Sequence, residues 1–183
     1  MTGTYEQVLH LGCGVNQPTA WHNVDVVADV NPDEVVDLDE YPWPWPDESF
    51  DRIVAEHVFE HLSGIERALR ESERVLRSGG VLYLRLPMGV NAIADPDHAW
   101  GGGHPWTWQT PGFYTGARHW DTDVGLEVYE KNVELHSQHS ARPLAAAFRA
   151  WWLVLWAING GAGEWCFSLP SMSGEFVVVF EKP

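Results

Sequence analysis

HVFEH, residues 57 to 61, brings two imidazoles and a carboxylate into five consecutive positions. On one helix, the order H-x-x-E-H would put His57 and His61 a turn apart, able to hold zinc, with Glu60 as the base that activates water. That would be hydrolytic chemistry. A second set points elsewhere: LGCG at 11 to 14 is followed by Asp25 and by Asp37-Leu38. Gly12 and Gly14 let the backbone turn sharply and approach a ligand where a Cβ would collide. Asp25 can accept both hydroxyls of a ribose. Asp37 can accept a hydrogen bond from an adenine amino group while Leu38 packs against the ring. His57 and His98 are candidate bases for removing a proton from a substrate hydroxyl, since an imidazole titrates near neutral pH.

The elements around these residues decide between the two sets. YEQVLHLGCG reads as a buried strand that feeds a tight turn, and HNVDVV, EVVDL, FDRIVAEHV and VLYLRLP read as four more strands. The segment FDRIVA, just before His57, is strand-like, and the helix begins only near Ser63, so the long helix that a zinc site needs is missing. GIERALRESERVLRSGG is the clearest helix, with Ile65, Leu69, Val75 and Leu76 on one side and a Gly-Gly stop. YPWPWPDES is a proline-broken loop. A last strand is expected at 175 to 181. Alternating strands and helices predict one α/β domain over residues 1–183: a doubly wound, mainly parallel seven-stranded sheet with helices on both faces.

Composition narrows the function. The 26 acidic and 11 basic residues give a formal charge of −15, and Lys131 and Lys182 are the two lysines. Such a surface repels phosphate backbones, which argues against double-stranded nucleic acid, and it suggests a halophilic source where salt screens the repulsion. Two cysteines, Cys13 and Cys166, form no disulfide framework and fit a reducing cytoplasm. No secretory signal is visible, and the apolar run from Leu144 to Ile158 includes Arg149 and falls short of the roughly 20 residues that span a bilayer. It reads as a buried or interfacial helix at 144–158, through which copies of the chain could associate. A Gly- and Trp-rich stretch at about 91–122 reads as a substrate loop or lid. Its Trp100, Trp106, Trp108 and Trp120 can line a substrate or form the core of a small subdomain.

Taken in order, LHLGCG, NVDV, VVDL, FDRIVAEHVFEHL, RESERVLRSGGVLYLRLP and DPDH resemble the class I S-adenosylmethionine-dependent methyltransferases. The likeness is to the subgroup with an LNLGCG-like turn and an EHL element after the fourth strand, and it covers about residues 5 to 98. It implies a Rossmann-like methyltransferase fold with S-adenosyl-L-methionine as cofactor. Gly12, Cys13 and Gly14 would lie against the methionine part, Asp25 would hold the ribose, and Asp37 with Leu38 would frame adenine. The backbone around Glu56 and His57 would face the methionine end or the substrate. One departure is visible: VNQPTAW follows the turn where a third glycine is usual.

Within that family, ubiquinone-biosynthesis O-methyltransferases and small-RNA terminal-ribose methyltransferases resemble this stretch with E-x-x-E-H as divalent-metal ligands. The set here would be His57, Glu60 and His61, with His98 or His104 completing it, beside the alternative in which EHL is purely structural. The DNA amino-methylating enzymes carry D-P-P-Y or N-P-P-Y where this chain has EHVF. The acceptor expected is therefore a small molecule, a sugar hydroxyl or a lipid-linked glycan. The alternative from another class is a methyltransferase-like protein that has lost its chemistry and serves in assembly.

Overall fold

The computed structural model describes residues 6–87, 106, 110–116, 122–136 and 173–183. Strands β1 (Val8–Leu11), β2 (His22–Asp25), β3 (Glu34–Val35) and β4 (Phe50–Glu56) precede helix α1 (Ile65–Val75) and strand β5 (Leu76–Pro87). A short helix α2 (Thr110–Tyr114) and strands β6 (Glu127–His136) and β7 (Ser173–Glu181) follow. They make one seven-stranded sheet in the order β3-β2-β1-β4-β5-β7-β6. The first five strands are parallel, and β7 runs antiparallel to both β5 and β6. The chain winds outward from β1 to β3 and then returns to place β4 on the other side of β1. This reversal leaves a crevice at the carboxyl ends of β1 and β4, where ligands of such sheets bind.

All four residues of β1 are buried, three of them apolar and the fourth His10. Leu82, Leu84 and Leu86 of β5 and Phe176, Val178 and Phe180 of β7 alternate into the same core cluster as Ile65, Ala68, Leu69 and Val75 of α1. The first crossover is unusual: residues 12–21 join β1 to β2 without a helix. Buried side chains hold that loop instead. Asn23 Oδ1 accepts from His10 Nδ1 at 3.2 Å, and the Asn23 amide nitrogen donates to the carbonyls of Pro18 and Trp21 and to Asp33.

Three sequence expectations need correction. The long helix stops at Val75, because Leu76 already pairs with Phe50 of β4. The Gly-Gly pair then lies within β5, with Gly79 at φ +76° and Gly80 so close to the Arg77 and Asp51 carbonyls that a Cβ would crowd them. It marks an irregularity in the sheet rather than a helix stop. The third strand shrinks from EVVDL to Glu34–Val35. Strand β6 had no sequence assignment, because a register shift between Val128 and Glu130 breaks its alternation of apolar and polar residues. The 144–158 helix and most of the 91–122 loop lie outside the described residues.

The proline loop proves to be core. Trp43 and Trp45 are buried, and Arg74 of α1 donates to the carbonyls of both while pairing with Glu71 at 2.6 Å and Asp47 at 2.8 Å. The neighbouring charges push the Arg74 guanidinium further from deprotonation and hold the Glu71 carboxyl below its usual range. Arg74→Ala should lower unfolding free energy by about 2 kcal/mol in a denaturant titration, since it strands two carbonyls and a partly buried carboxylate. Exposed Arg70, paired with Glu66 one turn away at 3.0 Å, should lose less than about 0.5 kcal/mol as the same substitution.

Candidate cofactor-binding site

The site starts at the turn after β1. Gly12 and Gly14 adopt φ +60° and +50°, which glycine accepts without strain. At Gly12 an added Cβ would also collide with Cγ2 of Val58, so this glycine serves packing inside the protein as well as approach to a ligand. The Gly14 N–H donates to Asp25 Oδ2 at 2.8 Å, tying the turn to the end of β2, and the Val27 N–H donates locally to Oδ1 at 2.9 Å, fixing the carboxylate. The Gln17 amide fastens it further by donating to the carbonyls of Gly14 and Val30, each at 2.8 Å.

Beyond β3, Asp37 Oδ1 accepts from the Asp39 N–H at 2.9 Å, and Asp39 accepts from the Ser63 backbone and hydroxyl. The Trp43 indole donates to the Leu38 carbonyl at 3.1 Å, which fixes the nearly buried Leu38 side chain over the cavity. The result is an open cavity of about 380 Å³ whose lining includes Gly12, Asp25, Asp37, Leu38, His57 and His61. Residues far apart in sequence thus converge at the crevice between β1 and β4.

The remaining expected site residues are placed as follows. Cys13, in the turn between Gly12 and Gly14, has a buried side chain and an N–H bonded to the Val24 carbonyl, and burial followed by the Asp25 charge pushes its thiol pKa up. Glu56 pairs with Arg85 at 3.5 Å and borders a second cavity with Val54 and Tyr83 rather than this one. His98 and His104 lie outside the described residues. Of the four tryptophans singled out, Trp106 is described: it is fully buried in the core, 6.0 Å from the Tyr114 ring.

HVFEH does not form a zinc helix. His57 sits at φ +56° after β4, and Phe59–His61 is a single 3-10 turn. Nδ1 of His57 lies 3.4 Å from Oε1 of the fully buried Glu60, and Nε2 lies 2.7 Å from Oε1 of Glu175 on β7. His61 Nε2 lies 4.0 Å from the same Glu60 oxygen. Among the described residues no group of three or more His, Cys, Asp or Glu side chains is placed to hold a metal. The hydrogen bond with Glu60 leads the causes that raise the His57 pKa to about 9, against the opposing effect of burial, with Glu175 adding to the rise. At neutral pH the ring is an imidazolium with no lone pair, so it can accept a proton only at higher pH. Sequence reasoning missed Glu175, Arg85, Asp39 and Val58: Val58 and Arg85 lie inside quoted motifs, but no spacing rule gives any of the four a role at the site.

The comparisons with known proteins agree with this geometry. Residues 9–84 match the family model described as a methyltransferase domain. That stretch runs from β1 into β5 and contains every described residue that lines the cavity. No curated protein sequence gives a significant match. Among solved structures, an S-adenosylmethionine-dependent methyltransferase from Archaeoglobus fulgidus superposes with a TM-score of 0.63 at 16% identity, over 97% of this chain and 86% of that one. A candidate methyltransferase from Bacillus halodurans reaches 0.65 at 12% identity, over 97% and 93%. The [4+2]-cyclase SpnF reaches 0.60 at 20% identity, over 97% and 74%. At these identities the likeness establishes the Rossmann-like methyltransferase fold.

Two outcomes follow from this geometry. Gly12→Ala should cost about 2 kcal/mol of stability by thermal unfolding, because it combines a left-handed backbone with a clash at Val58. The pKa of His57 is higher when folded than the ordinary 6.5, so its charge stabilises the fold fully below about pH 6.5 and ceases to do so as pH rises through about 9. The stability difference between the wild type and His57→Gln should therefore narrow between those limits, as measured by urea titration at a series of pH values.

Proposed function

We propose that the chain is an S-adenosylmethionine-dependent methyltransferase that O-methylates a small molecule, a sugar or a lipid-linked glycan. The observation that carries this reading is the convergence of Gly12, Asp25, Asp37 and Leu38 around one cavity at the sheet's reversal point. The residues present fit the cofactor. Asp25 spends one acceptor position of each oxygen on a backbone amide, and a carboxylate offers about four, so acceptor capacity remains for two ribose hydroxyls. Asp37 and Leu38 offer an acceptor and an apolar wall to a purine. The cofactor, when bound, supplies a methyl group on a sulfonium, an electrophile that needs mainly an aligned acceptor.

The protein's part is to bind and align. Gly12 lets the backbone close on the ligand, Asp25 and Asp37 fix its orientation, and Val58 shields the glycine turn. The acidic surface disfavours a duplex nucleic acid acceptor. It also underlies our assignment to high salt, while the two cysteines, too few for a disulfide framework, underlie our assignment to a reducing cytoplasm. Among the described residues no helix is long and apolar enough to cross a membrane. Association of copies through 144–158 is part of the proposal and lies outside the described residues. The SpnF neighbour favours a second reading, since its name attaches a different chemistry to this fold: a methyltransferase-like protein used for another purpose, such as assembly.

Methyl-labelled S-adenosylmethionine, supplied in high salt with panels of hydroxyl and amino acceptors, tests the assignment. Label recovered on oxygen is the expected result. Label on nitrogen would overturn O-methylation, and tight cofactor binding with no transfer to any acceptor would favour the second reading.

A further inference from the structure

We propose that the His57–Glu175 ion pair is a positioning element of the cofactor cavity, bracing the left-handed turn after β4 against β7 and so holding Val58 on Gly12. The proposal rests on the cofactor reading above. His57 is not glycine, yet its φ is +56°, a conformation that the neighbouring contacts must hold in place. Its N–H donates to the Arg85 carbonyl at 2.8 Å, extending the pairing of β4 with β5 by one residue. Beyond this bond, Val58 is neither helical nor extended, at φ −124° and ψ −52°, and the chain then makes its single 3-10 turn.

The imidazole adds side-chain fixings to those of the backbone, where the His61 N–H also donates to the Val58 carbonyl at 3.0 Å. Its two nitrogens, at opposite edges of a rigid ring, meet carboxylates from two elements, Glu60 in the 3-10 turn and Glu175 on β7. Among the described residues, the charged groups facing it are those two, together with Arg85 on β5, which lies 3.5 Å from both Glu56 and Glu175, and His61, beside Glu60. With the ring so held, Val58 comes forward to the place that a Cβ on Gly12 would occupy. Glu175 thereby reaches the glycine turn through two intermediates, His57 and Val58, although 118 positions separate it from His57.

S-adenosylhomocysteine titrations of the wild type, His57→Asn, Glu175→Gln and the double variant test this brace. Asparagine tolerates the left-handed backbone but cannot span both carboxylates. At a temperature where it remains folded, and whatever Tm it loses with the ion pair, each single variant should bind about tenfold more weakly, and the double variant should bind no more weakly than the worse single one, as expected for two halves of one interaction. Affinity unchanged in His57→Asn, or losses that multiply in the double variant, would overturn the brace. Amide hydrogen exchange on the same proteins separates this proposal from the cofactor reading. If the wild type binds no cofactor, that reading falls. Faster exchange at residues 12–14 and 58–61 in both single variants would still support the brace, whereas unchanged exchange would overturn it.

Discussion

The carboxylate of Asp25 accepts the Gly14 N–H on one oxygen and the Val27 N–H on the other. The first bond locks the end of β2 to the turn that follows β1, the second fixes the carboxylate locally, and the cavity depends on that lock because its near wall is backbone. Residues 12–21 contain no helix to position the turn from behind. The protein replaces the missing helix with local polar bonds from Asp25, Gln17 and Asn23. Such bonds are directional, so they fix a loop's shape more tightly than apolar contact alone.

The far wall is built from outside the cavity. Leu38 faces the ligand space, but its carbonyl is held by Trp43, whose own N–H is held by Glu71 of α1 at 2.8 Å. Arg74 completes the link by gripping the carbonyls of Trp43 and Trp45. The helix that covers the sheet therefore also sets the Asp37–Leu38 side of the pocket. Val58, pressed on Gly12, joins the two walls across the crevice.

Much of this could be read from local sequence. The strand, turn and aspartate at each of β1, β2 and β3 are contiguous signals, and Gly12, Asp25, Asp37 and Leu38 were named from them alone. HVFEH was ambiguous because its letters fit a helix as well as a strand end; the strand-like FDRIVA before it resolved the context but not the geometry. The left-handed His57 and its bond to Glu175 could not be foreseen, since contacts made by pairing β7 with β5 leave no spacing rule in the chain. Gly79-Gly80 misled for a related reason: a glycine pair signals a break in regular geometry without saying which element is broken. Strand β6 was hidden by its own bulge at Val128 and Glu130.

The account stands on cofactor recognition by Asp25, and calorimetric titration of S-adenosylmethionine into wild type and Asp25→Ala in high salt tests it most directly. It predicts a single saturable site in the wild type and affinity at least about tenfold weaker in the variant, as expected when a part-buried acceptor of two hydroxyls is removed. Equal affinity in the two proteins, or no binding to the wild type at about millimolar cofactor, would contradict it.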